Sequence, residues 1–285
     1  MSEARVLACI DGSAASEAVC DYAAWASLRL KAPLALLHVL EPAPSTIPTD
    51  LSGSIGLGSR EHLLGELAEL DERRARLLRE QGKLMLDAAA ARVRADGVAE
   101  PTLRQRHGGL VDTLQELEEE VRLLVMGRQG EAGGSAASQV GSQLESVIRT
   151  MHRPVLITTG EYRAPQRVLI AFDNSPSVRK GLDLLMQSPL LAGASIHLLL
   201  VGADTADARQ AIEAARKRLE EEGFAASAEI RAGEVEEVLL LCRREREMDL
   251  IVMGAYGHSR IRQFLVGSTT TSMLRRTDCP LLLLR

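Results

Sequence analysis

One arrangement of apolar runs and aspartates occurs twice in this chain of 285 residues, and it limits the possible folds more than any other feature. In each copy a short apolar run ends in an aspartate, Asp11 in the first copy and Asp173 in the second. A further apolar run ends in a valine, Val39 or Val201, and 28 positions separate aspartate from valine in both copies. This equal spacing indicates an internal duplication.

A glycine-rich segment follows in each copy. The second copy has two glycines three positions apart and then, nine residues later, a glycine followed by two hydroxyl residues: Gly254, Gly257, Gly267, Ser268 and Thr269. An apolar run precedes this segment and a helical pattern follows it, which predicts a loop between a strand and a helix N-terminus. Backbone N–H groups and the helix dipole make such a loop favourable for binding phosphate.

The first copy repeats the glycine-rich segment with two changes. Its matching residues are Gly127, Gly130, Gly141 and Ser142. Ten residues rather than nine follow the glycine pair, and Gln143 replaces the second hydroxyl residue. In both copies a proline begins the last apolar run 13 positions after the third glycine, so the copies are in register again at their ends. The extra residue either forms a harmless bulge or displaces the phosphate loop.

The duplication divides the chain into a first unit at residues 1–158, a short polar linker at 159–166 and a second unit at 167–285. In the second unit we predict strands near 167–172, 195–201, 225–231, 249–253 and 280–284. The helical patterns fall near 176–187, 205–222, 233–245 and 268–276. This alternation predicts α/β units in which helices cover both faces of an open parallel sheet.

The first unit is longer because it contains an insertion at about 41–95. A loop rich in Pro, Ser, Thr and Gly comes first, and a helix is predicted from about Glu61 to Ala95. Several leucines of this helix fall near heptad spacing: Leu63, Leu67, Leu70, Leu77 and Leu84. Two interpretations stay open, a helix that packs on the sheet and overhangs it, or a surface for a partner or a lid.

Composition argues against several functions. Aromatic residues make up 2% of the chain and the net charge is −5 without a dense basic tract, so we expect no nucleic-acid partner. No apolar run approaches the roughly 18 residues of a membrane-spanning helix, and we expect no membrane insertion. The N-terminus lacks the pattern of a secretory signal and the four cysteines form no C-x-x-C pair, which predicts a cytoplasmic location.

Two α/β units, each with an aspartate after its first strand and a glycine loop before its last helix, resemble a tandem universal stress protein. The resemblance covers essentially the whole chain, and the second glycine segment fits the family's ATP-binding pattern in full. It implies two doubly wound parallel five-stranded sheets of strand order 3-2-1-4-5. The units would form an internal pseudo-dimer through their fifth strands, at Val155–Thr158 and Leu281–Leu284.

The resemblance also implies an adenine nucleotide as ligand, namely ATP with Mg²⁺. Asp173 would accept hydrogen bonds from ribose hydroxyls or help to hold a hydrated metal ion, and Val201 would present backbone groups to the adenine edge. Gly254 and Gly257 would let the loop approach the sugar and phosphates closely. The outer phosphates would be bound at the helix N-terminus by Gly267, Ser268 and Thr269.

The first copy carries equivalent residues, namely Asp11, Val39, Gly127, Gly130, Gly141 and Ser142. We favour the second site because the glycine segment of the first copy departs from the pattern. The alternative for both copies is ordinary turn chemistry, with the serines as helix N-caps and the aspartates capping the first helix.

The function that we predict is an ATP-binding stress-response regulator with slow or no ATP hydrolysis, because no general base or water-positioning residue is evident. It would act on an unidentified protein partner, and the tandem chain could form a further homodimer. One alternative is an interaction module of the same fold that binds no nucleotide. The other is an enzyme acting on an adenosine-containing substrate, which rests on fold analogy alone.

Overall fold

The computed structural model describes residues 4–41, 57–128, 143–255 and 267–285. The strands of the first half are β1 (Arg5–Cys9), β2 (Leu34–Leu40), β3 (Thr102–His107), β4 (Val121–Gly127) and β5 (Val155–Thr158). Its helices are α1 (Ser16–Leu30), α2 (Leu57–Ala95), α3 (Leu110–Leu117) and α4 (Leu144–Thr150).

The second half repeats this order of elements. Its strands are β6 (Arg167–Ala171), β7 (Ser195–Val201), β8 (Ala225–Arg231), β9 (Leu250–Gly254) and β10 (Leu281–Leu284). Its helices are α5 (Pro176–Met186), α6 (Ala206–Glu221), α7 (Val235–Glu245) and α8 (Ser268–Arg276). The predicted elements of this half agree with the structure to within two residues at every end.

The strands form one continuous sheet in the order β3-β2-β1-β4-β5-β10-β9-β6-β7-β8. Within each half the neighbouring strands are parallel and follow the predicted order 3-2-1-4-5. The expected α/β class with doubly wound parallel sheets is therefore confirmed. The chain reverses its direction of winding between β1 and β4, and again between β6 and β9, which is where such sheets bind ligands.

The two five-stranded sheets join edge to edge. Strands β5 and β10 pair antiparallel, and Leu156 faces its repeat equivalent Leu282 at the centre of the junction. Both side chains are 1% exposed. The predicted pairing of the fifth strands is thus confirmed, and it converts two sheets with open edges into one sheet in which neither apolar edge is left unpaired.

Alternate strand residues supply cores on the two faces of the sheet. Val6 and Ala8 belong to the core that also contains buried residues of α1 and α2, whereas Leu7 belongs to the core that contains residues of α3 and α4. Both cores continue from one half to the other across β5 and β10. Buried runs with helices on both sides are what the apolar strand patterns predicted.

The linker is fastened to the first half by a buried tyrosine. The Tyr22 hydroxyl donates to the carbonyl of Arg163 at 3.2 Å and accepts from its N–H at 3.3 Å. The ring of Tyr22 also meets Tyr162 edge to face, with centroids 4.8 Å apart.

The long helix α2 is the main difference in shape between the halves. It has 39 residues, whereas its counterpart α6 has 16. It begins four residues before the predicted start. In spite of its length α2 is too polar to cross a bilayer, and among the helices of the described ranges none is both long and apolar enough to do so.

Candidate functional site

Each predicted aspartate shapes the turn between the first strand and the first helix of its half. Asp11 Oδ1 accepts from the Ser13 N–H at 3.0 Å, and Asp173 Oδ1 accepts from the Ser175 N–H at 2.9 Å. The intervening residue has positive φ in both halves, 77° at Gly12 and 57° at Asn174. Asparagine and glycine are residues that adopt this conformation readily, so the turn is the same in the two copies.

The aspartates are not the N-caps of the helices that follow. Ser175 caps α5, since its Oγ accepts from the N–H of Val178 at 3.3 Å. In the first half, Asp11 Oδ1 accepts a second hydrogen bond from Ser16 Oγ at 3.0 Å, in the first turn of α1. Asp173 is exposed, whereas Asp11 is half-buried.

The backbone of Val201 faces the crevice beside β6. The N–H of Phe172 donates to the carbonyl of Leu199 at 2.9 Å, and the N–H of Gly202 donates to the carbonyl of Arg231 at 2.9 Å. Backbone groups of successive strand residues point to opposite edges, so those of Val201 point to the β6 side, as those of Leu199 do. The last pair between β6 and β7 involves Leu199, and the polar groups of Val201 therefore lie beyond the end of β6.

Val39 has the same orientation in the first half. The N–H of Ile10 donates to the carbonyl of Leu37 at 2.8 Å, and the N–H of Gly108 donates to the carbonyl of Leu40 at 3.1 Å. By the same alternation, the backbone groups of Val39 point to the β1 side, beyond its pairing. In both halves, strand backbone that no described residue pairs thus faces the switch point.

The first glycine of each glycine-rich segment ends the strand on the other side of the switch point. Gly127 is the last residue of β4 and Gly254 is the last residue of β9. Asp173, Val201 and Gly254 therefore all lie at the carboxyl ends of adjacent strands of the second sheet. Gly130, Gly141, Ser142 and Gly257 lie outside the described residues.

The helix that follows the second glycine loop presents its N-terminus at the switch point. Helix α8 begins at Ser268 with Gly267 as N-cap, and within the described ranges no side chain caps it. Its first turn contains no acidic residue. Thr270 Oγ1 donates to the carbonyl of Ala255 at 3.2 Å, which ties this turn to the start of the loop. Ser268 and Thr269 are left at the surface beside it.

The corresponding rim of the first half is closed by its own side chains. Gln143, the N-cap of α4, donates from Nε2 to Glu41 Oε1 at the end of β2. The repeat places Ala203 and Thr269 at these two positions in the second half. The first turn of α4 also contains Glu145. A bound phosphate would therefore meet two carboxylates here and neither of them in the second half.

Helix α2 packs against the floor of the first crevice. A Cβ at Gly12 would lie 2.2 Å from Met85 Sδ, so α2 packs directly over this turn. The buried imidazole of His38 lies beside it and bonds the Ile10 carbonyl through Nδ1 at 2.7 Å. Burial, reinforced by the charge of Asp11, raises the pKa of the Cys9 thiol to about 12, so this cysteine is not a ready nucleophile.

An arginine joins the first glycine loop to the second half. Arg128, directly after Gly127, donates from its guanidinium to the carbonyl of Thr277, the C-cap of α8. Burial lowers the pKa of Arg128, and the nearby carboxylate of Asp278 opposes that shift. A cation at the C-terminus of a helix interacts favourably with the helix dipole. The second half has Ala255 at the equivalent position and cannot return the contact.

Sequence reasoning missed four of these side chains, namely Glu41, Met85, Arg128 and Thr270. Three of them differ in type from their repeat equivalents, which are Ala203, Ala255 and Leu144. Comparing the repeats position by position at the rims would have singled out these three. Met85 had no such signal, because it belongs to the insertion.

No group of three or more His, Cys, Asp or Glu side chains in the described ranges is arranged to hold a metal ion. An Mg²⁺ ion bound with a nucleotide does not need such a cage, because one or two carboxylates, phosphate oxygens and waters suffice. Asp173 at the mouth of the crevice fits that requirement.

Comparison with known proteins identifies relatives over the whole chain. The sequence model of the universal stress protein family matches residues 4–159 and 201–285. The universal stress protein Slr1230 of Synechocystis is 35% identical over 286 residues, with 99% of each chain covered. Asp173 lies outside the second family match, so its assignment rests on the repeat and on its likeness to Asp11.

A solved structure shares the fold over nearly the whole chain. The crystal structure of a universal stress protein from Archaeoglobus fulgidus covers 98% of this chain and 97% of its own, with a TM-score of 0.72 at 21% identity. A universal stress protein crystallised in complex with cAMP covers 43% of this chain and 98% of its own, with a TM-score of 0.38 at 23% identity.

Proposed function

The chain belongs to the universal stress protein family, and we propose that its second half binds ATP with Mg²⁺ and that this binding regulates contact with a protein partner. The observation that carries the proposal is the convergence at one switch point of four features: an exposed carboxylate, strand backbone groups that point beyond the end of β6, a glycine at a strand end, and a helix N-terminus that no side chain of the described ranges caps. These features belong to Asp173, Val201, Gly254 and α8.

Each part suits one portion of the nucleotide. The backbone N–H and C=O of Val201 offer one donor and one acceptor, as an adenine edge requires. The Asp173 carboxylate would accept from ribose hydroxyls or contact waters of the Mg²⁺, which neutralises phosphate charge when bound. The phosphates would approach Gly254 and Gly257 and end at Gly267, Ser268 and Thr269, where N–H groups and hydroxyls donate.

The first half supports nucleotide binding less well. Its own set, Asp11, Val39 and Gly127 among the described residues, has the same backbone placement. The bridge between Gln143 and Glu41 crosses from β2 to α4, where the phosphates would pass. We propose that this half acts as a scaffold, and that nucleotide binds to it only when the bridge opens.

The described side chains around the second site provide donors and one carboxylate, but no histidine or lysine poised to activate water. We therefore propose a ligand-controlled regulator with little or slow ATP hydrolysis. A nucleotide that binds one conformation better than another shifts the population toward it, and a partner that recognises this conformation then binds.

The test is a thermal melt of the purified protein with and without ATP–Mg²⁺, alongside Gly254→Val and Gly127→Val. ATP at about 100 times its Kd should add roughly 2.7 kcal/mol of stability. We expect Gly254→Val to abolish this gain, because a branched side chain would meet the sugar and phosphates, and Gly127→Val to retain it. Circular dichroism must show that both variants are folded.

Prebound nucleotide is first ruled out by denaturing the protein and assaying the supernatant. With that control, the absence of any shift in the wild type contradicts ATP binding and leaves an interaction module without nucleotide. Equal loss in both glycine variants contradicts the assignment to the second half. Parallel melts with ADP and cAMP identify which adenine nucleotide stabilises the protein most.

A further inference from the structure

The long helix α2 extends well beyond the half to which it belongs. At about 1.5 Å per residue its 39 residues span about 58 Å. Its C-terminal part packs on the first half through buried residues, namely Leu86, Ala89, Ala90 and Val93. From residue 65 to residue 81 every side chain is exposed apart from two partly buried leucines, Leu67 and Leu78. This overhang is not needed to cover the sheet, since α6 covers the equivalent face with 16 residues.

The overhang carries a stripe of exposed leucines. Leu70, Leu77 and Leu84 are 61%, 58% and 69% exposed. They lie seven residues apart, so they line one side of the helix, and Leu63 continues the spacing in the sequence. Single exposed leucines are common on protein surfaces, but a regular heptad row on an unsupported helix is the pattern of a coiled-coil seam. We call Leu70, Leu77 and Leu84 the leucine stripe.

We propose that the leucine stripe pairs antiparallel with the leucine stripe of a second copy of this chain, forming a homodimer. With these leucines at position d of the heptad, position g holds Glu66, Arg73, Glu80 and Asp87 on one side of the seam, and position e holds Asp71, Leu78 and Met85 on the other. A parallel pair would set Glu66 against Asp71 of the second copy, which is repulsive. An antiparallel pair in this register sets Arg73 against Glu80 of the second copy, twice by symmetry, and confines like charges to the ends of the paired segment, where Glu66 faces Asp87 of the second copy.

The seam itself is self-complementary in the antiparallel arrangement. Leu84 would meet Leu67 of the second copy, and Leu77 would lie on the aliphatic stem of Arg74 of the second copy. Arg74 and Gln81 interrupt the apolar row. Polar residues at such positions favour one register of the paired helices but make the pairing less stable. This arrangement also places the two globular bodies at opposite ends of the paired segment, whereas a parallel pair would crowd them together.

The carboxylate of Glu80 is available to pair with Arg73 of the second copy. Glu80 accepts from Arg76 one turn earlier at 3.3 Å, with both side chains more than half exposed. An exposed pair of this kind contributes little, so Glu80 can exchange it for Arg73 of the second copy at small cost. The dimer is accordingly expected to be reversible and dependent on concentration.

The test measures molar mass by sedimentation equilibrium over a wide range of protein concentration. The wild type should rise from the chain mass of 30.9 kDa to about twice that value. Leu77→Glu should keep the protein monomeric at concentrations where the wild type is dimeric. Ala75→Glu, an equal change of charge at an exposed position of α2 away from the stripe, should leave the dimer intact. Circular dichroism checks that both variants keep their helix.

A charge exchange tests the orientation. Arg73→Glu and Glu80→Arg should each weaken the dimer, since each places like charges together, and the double variant should restore it. A wild type that stays monomeric at every concentration overturns the proposal, and so does a dimer that survives Leu77→Glu. Failure of the double variant to recover overturns the antiparallel pairing.

Discussion

The two halves have the same backbone fold but differ in the side chains at the mouth of the crevice. The strand order, the turn after the first strand and the direction of the Val39 and Val201 backbone groups are the same in both. In the first half, Gln143 and Glu41 join across the rim, whereas the second half has Thr269 and Ala203 there. The comparison teaches that a duplicated fold keeps the same backbone arrangement at the switch point while the rim side chains diverge, and we propose that this divergence decides which half binds nucleotide.

The halves also differ in how they support each other. The β5–β10 junction is symmetric, with equivalent leucines facing each other. Arg128 adds a contact in one direction only, from the first glycine loop to the C-terminus of α8. The helix whose N-terminus we assign to phosphate is thus held at its other end by the half that we regard as a scaffold.

The largest effect is expected at the symmetric junction. Leu156→Ala and Leu282→Ala each remove a fully buried side chain, and each should cost about 2–5 kcal/mol in urea unfolding, because both leave a cavity. Since the two residues face each other, the costs should be similar. A much smaller cost for one of them would show that the junction is less symmetric than its strand register.

An exchange of the rim residues should change the number of binding sites. Glu41→Ala with Gln143→Thr opens the first crevice, and isothermal titration calorimetry should then detect about two ATP molecules per chain instead of about one. At about 100 times its Kd for the opened site, ATP should add roughly a further 2.7 kcal/mol of stability.

The reciprocal variant, Ala203→Glu with Thr269→Gln, should abolish binding in the second half by placing a carboxylate in the path of the phosphates. Unchanged stoichiometry in both exchanged proteins would mean that the rim bridge does not decide the difference between the halves.

A smaller loss of stability is expected when the contact from Arg128 to the C-terminus of α8 is removed. Arg128→Leu leaves the Thr277 carbonyl without its charged donor and should cost about 1.5–3 kcal/mol in urea unfolding. The matched control is Arg275→Leu, because Arg275 forms an exposed pair with Glu145 at 3.6 Å and should contribute less than about 1 kcal/mol. Equal costs for the two arginines would refute a special role for Arg128.

Much of the fold could be predicted because the sequence contains the pattern of strands and helices twice. The spacing from Asp11 to Val39 and from Asp173 to Val201 placed the strand ends, and the apolar runs gave every element of the second half to within two residues. The start of α2 was predicted four residues too late, because the sequence before it is rich in Pro, Ser, Thr and Gly and indicates no single boundary. The first glycine of each loop, Gly127 or Gly254, was predicted at the strand end where it lies.

The rim contacts could not be predicted in the same way. Gln143 and Glu41 are 102 positions apart, and Arg128 and Thr277 are 149 positions apart. Such pairs meet only because the sheet brings distant segments to one edge. The sequence likewise did not decide whether the leucine stripe is exposed, since leucines at heptad spacing occur on buried helix faces as well as on exposed ones.

The sequence by itself determined the duplication and the α/β class, because apolar periodicity and turn chemistry act locally along the chain. The strand order with its switch points followed from the resemblance to universal stress proteins, and the positions that would hold phosphate stay a prediction. Only the tertiary structure decided that Gln143 and Glu41 bridge the first crevice, that Arg128 crosses between halves, and that α2 overhangs with its leucines exposed. These depend on side chains that meet across strands and helices, and their distances are set by packing rather than by sequence separation.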